Sequence, residues 1–402
     1  MRILYWVGHI GNKFGAYEKY ILLFAKVCRA RGHKLTVLHE GFNSVRFYRN
    51  TLCELGAEYV SIPHTLKEPM QGIPSAINVI KKHRPDIIHF NFTNPLIMPL
   101  AKLFGIPLGY RTCHNGIPKI TVKTRISKTM NNIFIDRFFA VSRHVRDDEI
   151  CAGVRKDKLF LNFLGLPIES YAEGNLSIFD EPLPSASNDT QRRKIITVGR
   201  FFPEKGMRFV TEVAVETMHR FPDVVWWMVG GVGPDSAFCE DMVIRNHLEN
   251  RIIFLGQRND VPALMEHSYI QVVGSLFEGL PLNVLESSLL GIPTIGPNTQ
   301  GLDEAIQNDQ TGLLVESRSI ESFISAIGKL LENPDLRNRL GTNAKNFVIE
   351  NHDSSYWIEK LMEYYELDYH EKVDRSPAFM VTEKSKHKSV PEGAPKRIYP
   401  RK

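Results

Sequence analysis

The sequence predicts an α/β fold with two parallel sheets. Short, almost continuous apolar runs alternate with helical patterns, which is typical of strands buried on both faces of a parallel sheet. This alternation occurs twice, before and after a polar stretch at 169–193 that lacks apolar periodicity. The length of 402 residues also suits two domains, given roughly 100–200 residues per domain.

The first half of the chain begins with an apolar strand at 2–7. Apolar residues at helical spacing from Tyr20 to Cys28 then predict a helix, and Arg31-Gly32 supplies its basic last turn and glycine stop. Further strands are predicted at 35–38, 58–62, 86–90, 107–112 and 137–141. We therefore expect an N-terminal domain at 1–170 and a linker at 171–193.

The second half repeats the alternation. Strands are predicted at 194–198, 224–229, 252–255, 270–273, 293–295 and 312–315, and helical patterns follow from 320 to about 367. This pattern predicts a C-terminal domain at 194–350 and a closing helix at 351–368. Beyond it, the polar and basic composition of 369–402 indicates a disordered tail.

Composition limits the functional class. The 43% apolar and 24% charged residues are typical of soluble globular proteins, and the net charge of +5 is too small for a nucleic-acid-binding protein. Five scattered cysteines without C-x-x-C spacing indicate reduced thiols. Without a signal-peptide pattern or an apolar run of about 18–20 residues, we expect a cytoplasmic protein that contacts a membrane, if at all, only peripherally.

The segment at 275–293 is the most informative. It follows an apolar strand, breaks at a glycine-proline loop and enters a helix, so free backbone N–H groups and the positive helix end can meet an anion. Glu278 lies in the loop and Glu286 two turns into the helix, and a carboxylate with two oxygens can hold a sugar diol. From spacing alone, a surface loop with ordinary glutamates is an equal alternative.

The Glu278-x7-Glu286 pattern, with Glu-Gly-Leu-Pro and Gly-Ile-Pro around it, resembles the signature of retaining GT-B glycosyltransferases of family four. The segment from Gly199 and Arg200 to Glu204-Lys205-Gly206 resembles a second motif of that family. The resemblance extends through the glycines at 230–233 and the segment at 298–304, whereas the first half of the chain matches more loosely. It implies two Rossmann-like parallel-sheet domains that face each other across a cleft.

The resemblance also implies roles for these residues. Arg200 and Lys205 would stabilise the departing nucleoside diphosphate, and Glu278 would hold the transferred sugar. Backbone groups of Gly199 and of the loop Gly279, Leu280, Pro281 and Asn283 would meet the donor, and Glu286 would hold its ribose. The donor would be a nucleotide sugar, with a UDP-sugar as the first candidate, and no metal or further cofactor would be needed. The alternative for Arg200 and Lys205 is that they are solvated cations on a loop.

Two sites in the first half complete the prediction. His114 follows a strand end and matches a histidine that the family often places near the reaction centre, although a hydrogen-bonded loop histidine is the plainer alternative. Gly15 would let the backbone approach the donor phosphates or the acceptor. The spacing of Gly8, Gly11 and Gly15 does not match G-x-G-x-x-G, which disfavours a nicotinamide cofactor.

Partners and alternatives follow from the same resemblance. The acceptor would be a glycan or a lipid-linked sugar in cell-surface polysaccharide biosynthesis. A basic stretch with interleaved apolar residues at 119–146 suggests contact with the inner face of the plasma membrane, with a solvated helical face as the alternative. Other activities on such a scaffold are a sugar-nucleotide epimerase or phosphorylase, or a catalytically silent protein that binds nucleotide sugars.

Overall fold

A computed structural model of the protein describes residues 1–8, 14–93, 95, 97–117, 119–172, 192–316 and 319–372. Most of the predicted linker at 171–193 lies outside these residues, as does most of the predicted tail at 369–402. Gly11 of the predicted glycine run is also outside them.

The first sheet begins at the second residue of the chain. Its strands in the described residues are β1 (Arg2–Val7), β2 (Lys34–Glu40), β3 (Glu58–Ile62), β4 (Ile87–Asn91), β5 (Leu108–Cys113), β6 (Arg137–Ala140) and β7 (Leu159–Leu161). All pair in parallel, in the order β3-β2-β1-β4-β5-β6-β7. Only β7 was not predicted, because three apolar residues are too short a pattern to distinguish from a loop.

The second sheet repeats this arrangement. Its described strands are β8 (Arg193–Val198), β9 (Val224–Val229), β10 (Ile252–Gly256), β11 (Ile270–Val272), β12 (Thr294–Pro297) and β13 (Gly312–Val315). These strands are also parallel, in the order β10-β9-β8-β11-β12-β13. The predicted architecture of two Rossmann-like parallel sheets is confirmed.

Helices connect and cover the strands. In the described residues they are α1 (Ala16–Ala30), α2 (Arg46–Glu54), α3 (Pro69–His83), α4 (Met98–Leu103), α5 (Val122–Phe134), α6 (Arg143–Cys151), α7 (Ile168–Ala172), α8 (Met207–Arg220), α9 (Ser236–Arg245), α10 (Val261–Glu266), α11 (Leu282–Leu289), α12 (Leu302–Ala305), α13 (Ile320–Glu332), α14 (Pro334–Asn351) and α15 (Ser354–Lys372). None of them combines the length and the hydrophobicity needed to cross a lipid bilayer.

Helix α15 returns to the first sheet. Its residues Ile358, Leu361, Met362 and Tyr365 are buried in the same apolar cluster as the strands β1 to β6. Near its end, Asp368 accepts two hydrogen bonds from the Arg137 guanidinium of β6, at 2.6 and 2.5 Å. The predicted closing helix at 351–368 ends four residues later than expected, within the segment predicted as tail.

We call the first sheet with α1–α6 and α15 the first lobe, and the second sheet with α8–α14 the second lobe. The two lobes contact each other directly. Ala16 at the start of α1, Tyr171 of α7 and Leu285 of α11 belong to one buried apolar cluster that spans the junction. The Glu304 carboxylate of α12 accepts hydrogen bonds from the backbone N–H groups of Arg143 and His144 at the start of α6, both over 2.9 Å. In each sheet the strand order reverses beside the first strand, which is where open α/β sheets bind ligands at their carboxyl edge.

Candidate functional site

Two loops from opposite lobes touch at Gly279 and His114. His114 follows the carboxyl end of β5, and Gly279 lies in the loop between β11 and α11. A Cβ atom on Gly279 would lie only 1.7 Å from the carbonyl oxygen of His114, so a larger residue would force one of the two loops to move. The carboxyl edges of the two sheets therefore meet at this point, as expected for a site between lobes.

The His114 imidazole is fixed by its neighbours. Its ring stacks on Phe92, with centroids 3.7 Å apart and planes at 15°. Its Nε2 lies 3.0 Å from Oδ1 of Asn91, an oxygen that also accepts a bond from the Tyr5 hydroxyl. Since this oxygen can only accept, Nε2 carries the proton and donates. Phe92 itself has φ of 55°, a left-handed conformation uncommon for a non-glycine residue and frequent at functional sites.

Glu278 and Lys205 form an ion pair beside this contact. The Lys205 ammonium donates to both carboxylate oxygens of Glu278, at 2.6 and 2.8 Å. The Ser275 hydroxyl adds a bond to Oε1 of the same carboxylate, at 2.7 Å, and the backbone N–H of Glu278 donates to the Gln300 carbonyl. The side chain of Glu278 is largely buried. The structure thus brings together two of the residues predicted to contact the donor.

Gly199 lies close to Lys205, and Asn283 is bound to the end of β8. The position of a Cβ on Gly199 lies 3.8 Å from Cβ of Lys205, and the Asn283 side-chain amide donates to the Val198 carbonyl at the end of β8, over 2.8 Å. Of the loop residues between Gly279 and Asn283, Leu280 packs against the apolar cluster of the first lobe and Pro281 precedes the first turn of α11. This loop is therefore held at both ends.

The Arg200 side chain is exposed and only weakly paired. Its side chain is 56% exposed, its guanidinium lies 4.8 Å from the centre of the Phe202 ring, and it pairs loosely with Glu204 at 3.7 Å. Within the described residues it makes no ion pair with Glu278. An exposed, weakly held guanidinium keeps its donors available to an anion, which is compatible with the predicted role.

Glu286 is buried at the junction of the lobes. It is the fifth residue of α11, so it lies about one turn into the helix and not two turns as predicted. Its Oε1 accepts a 2.6 Å hydrogen bond from the Tyr171 hydroxyl. Burial lowers the pKa of Lys19 in α1, and the charge of the Glu286 carboxylate offsets part of this decrease.

Gly15 begins α1, as expected for a glycine that follows the first strand. Its backbone N–H donates to the Glu18 carboxylate at 2.9 Å, which stabilises the first turn of the helix. The preceding N–H, of Phe14, donates to Oδ1 of Asn259 in the second lobe, also at 2.9 Å. Gly15 thus lies at the junction of the lobes, with its own N–H occupied by a side chain of the helix.

Several residues at this site were not predicted. Asn91 and Phe92 hold His114, Ser275 binds Glu278, and Tyr171 binds Glu286. Only Asn91 had a recognisable signal, because a polar residue at the carboxyl end of a buried strand often contacts a ligand or orients a residue that does. Tyr171 carries no motif, since its partner is distant in the sequence.

Comparisons with known proteins agree with this geometry. Residues 180–347 match the family model described as glycosyl transferases group 1, and residues 17–162 match the model described as glycosyltransferase family 4. Together these two segments contain most of both lobes.

Two similar proteins align over most of the chain. The UDP-Gal:alpha-D-GlcNAc-diphosphoundecaprenol alpha-1,3-galactosyltransferase of Escherichia coli is 25% identical, with 84% of this chain and 87% of that protein aligned. The GDP-mannose-dependent alpha-(1-6)-phosphatidylinositol monomannoside mannosyltransferase of Mycolicibacterium smegmatis is 23% identical, with 84% and 91% aligned.

A solved structure has the same fold. The crystal structure of Anabaena HepE in complex with UDP and glucose superimposes with a TM-score of 0.75 at 19% identity, over 91% of this chain and 99% of that protein. At this identity the likeness concerns the architecture of the two lobes.

Proposed function

The chain belongs to the family-four, group 1 glycosyl transferases, and on that premise we propose that it transfers a sugar from a nucleoside-diphosphate sugar onto a lipid-linked or glycan acceptor. The preferred donor in this proposal is a UDP-sugar. The transfer retains the anomeric configuration and serves cell-surface polysaccharide biosynthesis. The observation that carries this proposal is the Lys205–Glu278 ion pair next to the contact between Gly279 and His114.

The charges at this site suit departure of a nucleoside diphosphate. When the bond between the anomeric carbon and the phosphate oxygen breaks, negative charge accumulates on the diphosphate, and the fixed ammonium of Lys205 and the exposed guanidinium of Arg200 can stabilise it. The positive end of the α11 dipole adds to the same field. Glu278 would accept hydrogen bonds from hydroxyls of the transferred sugar while it keeps Lys205 in place.

Retention without a covalent glycosyl-enzyme intermediate requires the acceptor to approach from the side that the diphosphate leaves. In the proposed course the acceptor oxygen bonds to the anomeric carbon, and its proton moves to the departing phosphate oxygen, so no protein carboxylate acts as base. His114, which donates through Nε2 to Asn91, would orient the donor sugar or the acceptor hydroxyl. With protein cations at the phosphates, we propose that turnover needs no divalent metal; unchanged rates in excess EDTA would support this, and a loss restored by Mg²⁺ would contradict it.

The names of the similar proteins support the substrate class. The Escherichia coli protein is named for a UDP-sugar and a diphosphoundecaprenol-linked acceptor, and the Mycolicibacterium protein for GDP-mannose and a phosphatidylinositol mannoside. Both acceptors are attached to lipids, which favours a lipid-linked acceptor here. The catalytically silent binding protein and the sugar-nucleotide epimerase are the alternatives.

One experiment separates these activities. The purified protein is incubated with UDP-, GDP-, ADP- and dTDP-sugars, with and without lipid-diphosphate acceptors, and released nucleoside diphosphate is measured. A transferase releases it and forms a product whose anomeric configuration, read by NMR, equals that of the donor. Binding without release would indicate the silent protein, an isomerised sugar nucleotide the epimerase, and an inverted product would contradict the retaining mechanism.

Contact with a membrane is proposed through α5. This helix presents an apolar stripe in which each residue is more than half exposed, formed by Val122, Ile126, Met130 and Ile133. Such a stripe along one helix face, with lysine and arginine next to it, suits the interface of a bilayer that contains anionic lipid. Because α5 follows the loop of His114, a lipid surface on this face would bring lipid-linked acceptors close to the cleft.

The structure narrows the basic stretch that was predicted for this contact. Lys119, Lys123 and Arg125 are exposed. Lys128 and Arg137, by contrast, are bound inside the first lobe, to Glu149 and Asp368. Of these five cations, those available to a lipid surface therefore lie at the beginning of α5.

Vesicle flotation tests the proposed contact. Wild type should float with phosphatidylglycerol-containing vesicles, whereas I126S combined with I133S should not. Val232→Ser is the matched control, since it removes an exposed apolar side chain from the second lobe. Binding that does not depend on anionic lipid, or that survives the double substitution, would contradict the proposal.

A further inference from the structure

Tyr171, Lys19 and Glu286 form a buried cluster where the two lobes meet. The Tyr171 hydroxyl donates to Oε1 of Glu286 over 2.6 Å, and the Lys19 ammonium lies 4.0 Å from the centre of the Tyr171 ring. All three residues are less than a tenth exposed. They come from three separate segments, α7, α1 and α11, so their approach is a property of the assembled lobes.

The hydrogen bonds of this cluster are incomplete. Oε1 of Glu286 accepts from Tyr171, while Oε2 makes no hydrogen bond to the described residues. The Lys19 side chain likewise makes no hydrogen bond within the described part of the chain; its ammonium lies over the Tyr171 ring and feels the charge of Glu286. Both residues are less than a tenth exposed, so this oxygen and this ammonium have few other groups to bind and remain available to a ligand that reaches the junction.

The protonation states fit this arrangement. Burial raises the pKa of Tyr171 well above its usual value, and the neighbouring carboxylate raises it further, so the hydroxyl remains a donor at neutral pH. Burial lowers the pKa of Lys19, and the charge of Glu286 opposes that change. A cation on the face of the ring also polarises the phenol, which makes its O–H a stronger donor toward the carboxylate.

We propose that Tyr171 and Lys19 are positioning residues that hold the Glu286 carboxylate for the ribose diol of the donor and thereby make the site selective for ribonucleotides. This inference rests on the proposed function, because it takes from it the assignment of Glu286 to the ribose. Tyr171 fixes one carboxylate oxygen, so the other is directed to the ribose hydroxyls. Lys19 supplies the positive charge that makes an ionised carboxylate tolerable at a buried position.

Ribose selectivity gives a readout that a merely structural role would not change. A site built to hydrogen-bond a hydroxyl discriminates against a ligand that lacks it, because its own polar groups then stay unpaired. Loss of the Tyr171 hydroxyl should weaken binding of the ribonucleotide while it leaves binding of the 2′-deoxynucleotide nearly unchanged. A general loss of packing would weaken both ligands equally.

The experiment measures dissociation constants of the full chain by calorimetry for UDP, GDP and ADP and for their 2′-deoxy forms. Wild type should prefer at least one ribonucleotide, and Tyr171→Phe should lower that preference by about tenfold, the worth of one hydrogen bond to a charged group. Lys19→Met should lower it in the same direction. Tyr110→Phe is the matched control, since it also removes a tyrosine bond to a buried carboxylate, that of Asp368, which is not a member of this cluster.

The possible outcomes separate the two proposals. An unchanged preference in Tyr171→Phe, with nucleotide binding intact, would overturn the inference while the proposed function stands. An unchanged preference in Lys19→Met alone would remove Lys19 from it. If wild type binds none of the six nucleotides, the proposed function fails first and the inference fails with it.

Discussion

The ammonium of Lys205 donates to both carboxylate oxygens of Glu278, at 2.6 and 2.8 Å. The two residues come from different loops of the second lobe, after β8 and after β11. A donor whose phosphate meets Lys205 and whose sugar meets Glu278 would find both charges already in place. Groups fixed in advance stabilise a transition state without reorganisation at the moment of reaction.

Replacing either member of this pair should reduce transfer strongly. Lys205→Met or Glu278→Gln is expected to lower kcat by roughly 10²–10³, the usual effect of removing one fixed electrostatic group. The double variant should lose much less than the product of the two single losses, because the residues act as a unit. Lys329→Met, which breaks an exposed ion pair with Asp309 in the same lobe, should leave kcat unchanged; multiplicative losses would contradict a coupled pair.

A methyl group at position 279 should disturb the contact between the lobes. In Gly279→Ala the new Cβ would lie 1.7 Å from the His114 carbonyl, so either this loop or the loop of His114 must move. A shift of about 1 Å near the reacting atoms can cost roughly 10²-fold in rate. Steady-state kinetics on protein shown to be folded by circular dichroism will measure this loss.

Gly32→Ala provides the contrast for that variant. Gly32 has φ of 71°, which disfavours alanine, but its Cβ position is open and it lies after α1, away from the site. Its substitution should lower the melting temperature and leave kcat of the folded enzyme unchanged. Equal losses of kcat in the two variants would show that the close approach at Gly279 is not what matters.

Stability should decline on acidification because of two buried histidines. Burial lowers the pKa of His89 to about 3 and that of His352 to about 4. Both rings are neutral in the folded protein, whereas the unfolded chain takes up protons near pH 6.5. The stabilisation is therefore complete above about pH 6.5 and is lost as the pH falls toward the folded-state values.

His352→Met tests this pH dependence. The ring nitrogens of His352 are buried without a hydrogen bond to any described residue, so methionine replaces the ring without breaking one. Between pH 7 and pH 5 the variant should lose about 2 kcal/mol less free energy of unfolding than wild type. Urea titrations at the two pH values measure the difference, and parallel losses in both proteins would show that His352 does not contribute.

The attachment of α15 to the first lobe should depend on Asp368. This carboxylate accepts two bonds from Arg137 and one from the Tyr110 hydroxyl, and it is almost completely buried. Asp368→Asn leaves the guanidinium without its counter-charge, which should cost about 3–5 kcal/mol of unfolding free energy. Asp157→Asn, in an exposed pair with Arg155, should leave the urea midpoint unchanged; similar midpoints for both variants would contradict this account.

Much of the fold could be predicted because buried parallel strands have a strong local pattern. The run at 2–7 and the run at 224–229 are continuous apolar segments, and both are strands with the predicted bounds. The strand β7 was missed since its three residues are positioned by the neighbouring β6 and not by a pattern of their own. The return of α15 to the first lobe was also not predicted, because its partners are far away in the sequence.

The site was predictable where it follows short motifs. Lys205 and Glu278 each lie in a recognisable segment, and the structure brings them together. The residues that hold His114 and Glu286 come from other segments: Asn91 lies 23 positions from His114, and Tyr171 lies 115 positions from Glu286. Such pairs follow from the packing of the lobes, which no local spacing encodes.

The return of α15 has a consequence for how the protein is made. During translation the strands of the first sheet leave the ribosome before the second lobe, and α15 leaves after it. The surface on which Leu361 and Tyr365 later pack therefore remains uncovered while the whole second lobe is synthesised. Nascent chains at this stage expose apolar surface that favours aggregation or chaperone binding, and a first lobe produced by itself would need α15 fused to it to become compact.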